Sequence, residues 1–521
     1  MSLRRRSILS MLLMVVLVIT ALGAIACNNE GETVPEPETG GTLVIGNNAD
    51  VDSLDPHLAA DLYTVRVCDQ IFDTLIRLDF SGDYVGSLAE SWDVADEGRT
   101  WELTLRQDVY FHDGEPLTAD DVVQSFRRIM DPEFDSPRRG DLAGVDGVEG
   151  ITGDGDDPDR VNITLVEPNG AFLSTLLNIH IVPVPDADAR EWVPVGSGPF
   201  KFGEWVPEER VALERFADYW GGASPLEGLV FRPIPEVSTR VVELETGGIH
   251  LMDEVPGEDM ERLEDMEGIE IDSTVGSNYS VLGLNTTREP FDDPMVRQAI
   301  AHAIDRERLV EVVYPGTAVA ADGPLPPSSW AYDEDFNGPA HDLERAANYM
   351  ENSSVPDGFS AELLISEGER MQRGAILIQS MLEEIGIELE IVTQEWGTFL
   401  QSLMGREYDM LRVAWTTDPE PDALLYSLLH SGSEMLNFSG FASEEVDSLL
   451  DRARVESDVS ERARMYREVQ SIVVAEAPMI YLLHENHVAA YPEEVRDFRP
   501  HLTGAYYFQS SFGAATWMAG D

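Results

Sequence analysis

One apolar run, at residues 8–25, divides this chain into two parts with different fates. The basic stretch Arg4–Arg6 precedes the run, and polar residues follow it. A basic stretch, an apolar run of this length and a polar continuation are together typical of a secretory signal. The sequence contains no second run of this kind among its 521 residues. We therefore predict that an export signal comes first and that the rest of the chain folds in water.

The export signal ends in Ala24–Cys27, which resembles a bacterial lipoprotein box, where small residues precede an invariant cysteine. The resemblance implies that residues 1–26 are a cleaved lipoprotein signal peptide and that Cys27 carries the lipid, which anchors the protein to a membrane. The alternative is an uncleaved transmembrane anchor, since a run of this length barely spans a bilayer. The expected location is outside the cytoplasmic membrane, in the periplasmic space or on the outer face of the cell membrane.

Charge and composition narrow the classes of function. The chain has 97 acidic and 35 basic residues, for a formal net charge of −62. Such a surface repels phosphate backbones, so we predict no binding to nucleic acid. Hydrophobic residues make up 43% of the chain, which is enough to bury a sizeable core. Residues 27–41 are rich in Glu, Pro and Gly and are predicted to be a flexible acidic tether.

The chain has two cysteines, Cys27 and Cys68. If Cys27 carries lipid, Cys68 has no partner, which excludes a disulfide within the chain. Apolar residues at positions 65, 67, 71 and 72 surround Cys68 in the sequence. We predict that its thiol is buried and structural rather than reactive.

Strand and helix patterns interleave along the body of the chain. Apolar and polar residues alternate at Trp101–Leu105 and Val161–Leu165, as they do in half-buried strands. Thr118 and Asp293 precede stretches with an apolar helical face and are predicted to start helices. The Gly- and Asp-rich residues 146–160 are predicted to form a loop. Further predicted elements are strands at 42–46 and 387–391, a helix that Asp305 caps and that continues to Val313, and a helix at 371–385 that ends at Gly386. This interleaving indicates an α/β or α+β fold.

Motifs for catalysis do not occur in the sequence. No serine has glycine two residues away on both sides, as the nucleophile elbow of serine hydrolases requires. His484 and His487 are three residues apart, one fewer than the zinc-protease helix motif requires. No glycine-rich dinucleotide or phosphate loop is present. We predict that the protein is not an enzyme and has neither a metal site nor a cofactor.

Four blocks of sequence follow one another between residues 42 and 515. They are Ser53–His57; Leu88–Trp92 with Trp101–Arg106, Val109–Gly114 and Pro116–Val122; Gly196–Phe200 with Tyr219–Gly222; and Asn285 with Pro290–Ile300 and Ala303–Arg306. Each block alone is weak evidence for a family, but the occurrence of all four in this order is specific. Together they resemble the oligopeptide- and dipeptide-binding family of extracellular solute-binding proteins for ABC importers, solute-binding protein family 5.

The resemblance implies an α/β, two-lobed periplasmic-binding-protein-like fold of type II, with an extra inserted lobe and a hinge between the main lobes. The implied lobes are lobe I at 42–84, 196–284 and 492–521, the inserted lobe II at 85–195, and lobe III at 285–491. Ligand would lie between lobes I and III, and hinge closure would trap it.

The resemblance also implies the residues that touch the ligand. In peptide-binding members an aspartate three residues after a tryptophan pairs with the α-ammonium of the ligand, and the backbone between them pairs with the peptide like an added strand. A loop of lobe I faces this segment. From its position near the second lobe crossing, and not from the resemblance, we expect Tyr491 to be a further lining residue. The ligand-binding residues expected in this way are Asp418, Trp415, Thr416, Thr417, Ala60, Asp61, Leu62 and Tyr491.

The expected function is therefore a substrate-binding lipoprotein that captures extracellular peptides and delivers them to the transmembrane subunits of an ABC permease. A monomer is expected, as is usual for a receptor that closes around a hinge. The first alternative keeps the fold and changes the solute to an oligosaccharide, a nickel chelate or glutathione. A more remote alternative is a secreted hydrolase, which the missing catalytic motifs disfavour.

Overall fold

Helices and strands interleave along the chain, as the sequence patterns predicted. The structure is a computed structural model, and it describes residues 40–153, 157–183, 193–415, 419–433, 436–456, 458–509 and 515–518. Within these residues the helices are α1 (Leu62–Ile71), α2 (Ala119–Met130), α3 (Phe172–Leu176), α4 (Val237–Glu245), α5 (Gly257–Glu264), α6 (Pro294–Ala303), α7 (Arg306–Val313), α8 (Leu343–Glu351), α9 (Glu369–Glu383), α10 (Trp396–Gly405), α11 (Pro421–Leu429), α12 (Glu444–Val455) and α13 (Val459–Glu476). The strands are β1 (Thr42–Asn47), β2 (Ile76–Leu78), β3 (Tyr84–Gly86), β4 (Ala89–Ala95), β5 (Thr100–Leu105), β6 (Val145–Ile151), β7 (Arg160–Leu165), β8 (Phe200–Val206), β9 (Arg210–Arg215), β10 (Gly228–Pro233), β11 (Leu251–Asp253), β12 (Ile269–Val275), β13 (Tyr279–Leu284), β14 (Ala318–Ala320), β15 (Phe359–Ser366), β16 (Ile387–Gln394), β17 (Met410–Trp415), β18 (Met479–Pro492), β19 (Val495–Arg496) and β20 (Trp517–Met518).

Short polar side chains start several helices where the sequence predicted them. Asp293 and Asp305 each accept a hydrogen bond from a backbone N–H in the first turn of α6 and α7. Before α2, the carboxylate of Asp121 accepts hydrogen bonds from the backbone N–H of Thr118 at 2.9 Å and from its hydroxyl at 2.7 Å. These acids satisfy local donors and lie at the positive end of the helix dipole, so each position is favourable.

The predicted loop at 146–160 is partly wrong. Residues 145–151 form β6, which pairs antiparallel with β7. A Cβ added at Gly150 would lie 3.1 Å from the Cβ of Ala119 at the start of α2. The glycine that indicated a loop instead lets the helix pack closely on the strand, a tertiary contact that composition does not reveal.

One long strand joins two groups of strands into a single sheet. The first part of β18, residues 479–483, pairs with β13, and its second part, residues 486–492, pairs with β12. From β13 the sheet continues through β17, β15 and β16, and from β18 in the other direction it continues through β11, β1, β10, β9 and β8. The chain passes between the two groups at residues 276–278 and again within β18.

These strand pairings bear on where the chain crosses between lobes I and III. Residues 279–284 pair with β17, which belongs to the second group, whereas residues 486–492 pair with β12, which belongs to the first. The boundaries at 284/285 and 491/492 stay predictions, and the pairing favours crossings a few residues earlier in each case.

A separate antiparallel sheet, in the order β4-β5-β7-β6, lies within residues 85–195. Buried residues alternate along β5 and β7, which confirms the two half-buried strands that the sequence predicted. The buried face packs on α2 and α3 through apolar side chains such as Phe126 and Phe172. This small sheet and its two helices form the core of the segment predicted as lobe II.

The first of the four sequence blocks fastens this small sheet to the large one. Asp55 forms an ion pair with Arg128 of α2, and the Nη1 of Arg128 is 2.8 Å from the Oδ1 of Asp55. The hydroxyl of Ser136 donates to the backbone oxygen of His57 at 2.6 Å. Burial lowers the pKa of His57 to about 4, so its ring is neutral at pH 7 and bonds the backbone oxygen of His180 at 2.8 Å. Asp55 and His57 of the first sequence block therefore connect the segment of the small sheet to that of the large sheet.

The third block converges on one buried carboxylate, that of Asp73. Its side chain is fully buried and accepts hydrogen bonds from Arg77 at 2.7 Å, Ser197 at 3.0 Å, Tyr219 at 3.1 Å and Trp220 at 3.0 Å. Ser197 comes from the first half of the block, and Tyr219 and Trp220 come from its second half. The fourth donor, Arg77, lies in β2. Asp73 thus ties the return of the chain from residues 85–195 to the end of α1.

Candidate functional site

A cavity of about 210 Å³ lies where the loop before α1 meets the small sheet's segment. Ala60, Asp61 and Leu62, the lobe I residues expected to face the ligand, all line it. The rest of the lining comes from α1 and from residues 74–78, 138, 177–178 and 503–507. The cavity therefore gathers residues of the predicted lobes I and II.

Asp61 has a structural task at the edge of this cavity. Its carboxylate accepts hydrogen bonds from the backbone N–H groups of Tyr63 and Thr64, both at 2.9 Å. It is therefore the N-cap of α1 and lies at the positive end of the helix dipole. The half-buried side chain can still offer its second oxygen to a donor in the cavity.

Charges of both signs line the cavity. Arg77 pairs with the buried Asp73, and Asp69 accepts a hydrogen bond from His180 at 2.8 Å. Arg138 donates from Nε to the backbone oxygen of Ala59 at 3.2 Å, and its Nη1 is 3.8 Å from Asp141. Arginine guanidinium groups held in this way can receive carboxylates, and the aspartates can receive ammonium groups. The arrangement suits a ligand that carries both charges.

Trp415 ends β17 and does not line the cavity. Its ring is half-buried, packs against the apolar core around Phe399 and Leu411, and pairs across the sheet with Tyr279. Among the residues that the structure describes, its indole nitrogen has no hydrogen-bond partner although it is buried. The expected ligand contacts Thr416, Thr417 and Asp418 lie outside the described residues.

Tyr491 and Cys27 are the remaining residues that the sequence singled out. Tyr491 is 2% exposed, packs edge-on against Phe498, and donates its hydroxyl to Asp272. It belongs to the core of the large sheet and is not among the residues that line the cavity. Cys27, the expected lipidation site, lies outside the described residues. Cys68 is fully buried, which raises its pKa and confirms the prediction of a structural thiol.

Sequence reasoning missed a group of charges at the strand crossing. On one side the hydroxyl of Tyr63 donates to Glu254 at 2.6 Å. On the other side Arg370 lies 3.8 Å from Glu485 in β18. Burial raises the pKa of both glutamates, and the charge on Glu254 adds to the rise for Glu485. The signal available in the sequence was weak, because these four residues are far apart in a chain rich in acids.

The described ranges contain neither a cluster of metal-ligating side chains nor a helix that could cross a membrane. In residues 40–153, 157–183, 193–415, 419–433, 436–456, 458–509 and 515–518, no three His, Cys, Asp or Glu side chains are grouped as a metal ion would require. Across the same ranges, every helix is too short or too polar to cross a bilayer.

An α/β chain with two main lobes, two chain crossings between them and a smaller inserted segment is the architecture of an extracytoplasmic solute-binding protein. Residues 83–435 match the model of the bacterial extracellular solute-binding proteins, family 5. The chain belongs to this family. Members are extracytoplasmic and work with the permease subunits of ABC transporters. Its relatives are substrate-binding proteins rather than enzymes.

Individual relatives bind different solutes. The chain is 28% identical to the heme-binding protein A of Haemophilus influenzae, over 85% of each chain. It is also 28% identical to the glutathione-binding protein GsiB of Escherichia coli, over 88% of this chain and 91% of that one. The solved structure of DppA from Helicobacter pylori in complex with the peptide STSA is 30% identical, with a TM-score of 0.71, over 92% of this chain and 98% of that one.

Proposed function

We propose that this protein is the substrate-binding lipoprotein of an ABC importer and that it captures extracellular peptides between its lobes. The observation that carries the proposal is the cavity at Ala60–Leu62, with arginine and aspartate side chains in one lining. A short peptide with free ends is a zwitterion, and each of its ends needs an opposite charge once water is excluded. The peptide in the Helicobacter pylori structure and the glutathione of the Escherichia coli relative support the same class of solute.

The ammonium end of the peptide would pair with Asp418. This residue follows Trp415 by three positions, as in the peptide-binding members that the chain resembles. The backbone of Trp415, Thr416 and Thr417 would add hydrogen bonds to the peptide main chain, which give affinity without reading side chains. Ala60, Asp61 and Leu62 would face this segment from lobe I.

The mature protein would begin at Cys27 and be held at the membrane by lipid on that cysteine. Residues 27–41 would then be the tether between the lipid and β1. A monomer suffices for capture, because both faces of the proposed site come from one chain. Delivery would follow from docking of the closed protein on the permease subunits.

Mass spectrometry of ligand released from the purified protein tests the proposed solute. The protein would be isolated from its native cells without added ligand, denatured, and its small-molecule fraction sequenced. We expect peptides with free amino and carboxyl ends. Heme, an oligosaccharide or a nickel chelate in their place would contradict the proposal. If the protein is isolated empty, a calorimetric screen of di- to nonapeptides in which none binds would do so as well.

Arg138 is expected to receive a carboxylate of the peptide. Arg138 lines the cavity and its side chain is only 21% exposed, so a hydrogen bond from it to an anion is partly shielded from water. We predict that Arg138→Gln weakens binding of a peptide with a free carboxyl end about tenfold, since a hydrogen bond to a charged group contributes about 1.5 kcal/mol or more. Isothermal titration calorimetry would measure the loss.

The neighbouring Arg139 provides the matched control. It is exposed, so Arg139→Gln removes the same charge without touching the cavity. Binding should stay within twofold of the wild type. A C-terminally amidated peptide should bind wild type and Arg138→Gln equally. If amidation does not remove the difference between them, Arg138 does not contact the carboxyl end.

A further inference from the structure

The small sheet's segment also touches the second group of strands and helices, at a buried polar cluster. Arg462 of α13 donates from Nη1 to the backbone oxygen of Gly170 at 3.0 Å, and the N–H of Gly170 donates to the backbone oxygen of Arg454 at 2.6 Å. The hydroxyl of Tyr84 donates to Glu420 at 3.0 Å, and Glu420 accepts from Nη2 of Arg462 at 2.6 Å. We call these five residues the Gly170 dock. None of them lines the cavity.

The dock joins two different hydrophobic cores. Tyr84 packs against the core of the small sheet, and Gly170 lies two residues before Phe172 of that core. On the other side, Arg462 lies over the ring of Trp330, at 5.2 Å from its centroid, and Trp330 packs against the core around β13 and β17. The contact therefore joins Gly170 of the predicted lobe II, and Tyr84 at the boundary between the predicted lobes I and II, to lobe III.

Burial makes the dock sensitive to geometry. The side chain of Glu420 is fully buried and that of Arg462 is 4% exposed. Burial raises the pKa of Glu420 to about 7, so desolvation offsets much of the attraction to Arg462. The pair is favourable only while its other hydrogen-bond partners stay in place, because a buried charge that loses a partner is destabilising.

The backbones of the two sides approach each other closely at Gly170. A Cβ added there would lie 2.2 Å from the backbone oxygen of Glu456 and 3.3 Å from that of Arg454. Both neighbours are backbone atoms, so they cannot rotate away as a side chain could. A single methyl group would thus push the two sides apart.

We propose that the Gly170 dock is a second attachment of lobe III, in addition to the strand crossing, and that it fixes the orientation of lobe III relative to lobe II. The crossing consists of residues 276–278 and the middle of β18, two extended segments about which lobe III can turn. The dock opposes that rotation through three hydrogen bonds that cross between the two sides, from the N–H of Gly170 to Arg454, from Arg462 to the carbonyl of Gly170, and from the hydroxyl of Tyr84 to Glu420. Opening and closing of the solute site then require that the dock breaks or that it acts as a pivot.

The test compares Gly170→Ala with Gly144→Ala in the full-length protein. Gly144 lies in the same segment, and a Cβ added there meets nothing within 4 Å. Single-molecule energy transfer would be measured between dyes on unnatural amino acids at the exposed positions Asp108 and Glu384. We expect one orientation in the wild type and in Gly144→Ala. In Gly170→Ala we expect a second population of about a tenth of the molecules or more.

A folded Gly170→Ala variant with the wild-type distribution would overturn the proposal. If Gly170→Ala does not fold, Tyr84→Phe removes only the hydroxyl that reaches Glu420, and it should broaden the distribution in the same direction. An unchanged distribution in Tyr84→Phe would overturn the proposal in that case. No solute is added in these measurements, so their outcome is independent of whether the ligand is a peptide.

Discussion

Replacing Asp418 with alanine is expected to weaken peptide binding about 30-fold or more. In the proposed complex the carboxylate of Asp418 is the partner of the peptide's ammonium group inside a closed cleft. Truncating one member of a buried charge pair costs about 2–5 kcal/mol, because the other member stays desolvated and unmatched. Isothermal titration calorimetry with a peptide identified from the native protein would measure this loss.

The control for Asp418→Ala is Glu390→Ala, which removes the same charge from an exposed position on β16. It should bind the peptide as the wild type does. Acetylating the peptide's amino end completes a double-mutant cycle between Asp418 and the peptide's ammonium group. Acetylation should weaken binding to the wild type and have no further effect on Asp418→Ala. Equal losses in both proteins would show that another residue receives the ammonium group.

Replacing Asp73 with alanine is expected to lower the free energy of unfolding by about 3–5 kcal/mol. The substitution removes the carboxylate opposite the buried guanidinium of Arg77 and the acceptor of three further hydrogen bonds. The loss of one partner from a buried ion pair has this magnitude because it leaves a charge uncompensated. Urea denaturation followed by tryptophan fluorescence would measure the change.

Asp218→Ala is the matched control for the Asp73 variant, because Asp218 is exposed and adjoins Tyr219 in the sequence. Its effect should stay within about 0.5 kcal/mol. The double variant Asp73→Ala, Arg77→Met should be more stable than Asp73→Ala alone, since the unmatched charge is gone. If the double variant is less stable than the single one, Arg77 does not account for the loss.

Local patterns predicted the elements of this fold well. Alternation predicted β5 and β7, and the acids at 293 and 305 marked the starts of α6 and α7, because these signals act within one or two turns of chain. The order of the four sequence blocks predicted the family. By contrast, the prediction missed β6. Its glycine-rich sequence packs on α2, and a contact with a distant helix cannot be inferred from the residues of the strand alone.

The candidate site was predictable only in part, for a similar reason. The resemblance led to Ala60–Leu62, which line the cavity, since that loop has a motif beside it. Arg138 could not be assigned from the sequence, because it reaches the cavity from another lobe and lies in no block. Asp73 was also missed, although three of its four partners lie in or beside the blocks that carry the resemblance. Contacts between residues that are far apart in the chain cannot be predicted from motif spacing.

The position of β1 in the large sheet has a consequence for how the chain reaches its final state. Its neighbours β10 and β11 begin at residues 228 and 251, and β11 in turn pairs with residues near 490 of β18. A chain that is made from its amino end therefore cannot complete this sheet until almost all of it has been synthesised. Contacts of such separation form slowly. The topology thus makes completion of the large sheet a late step of folding, after the local helices and hairpins have formed.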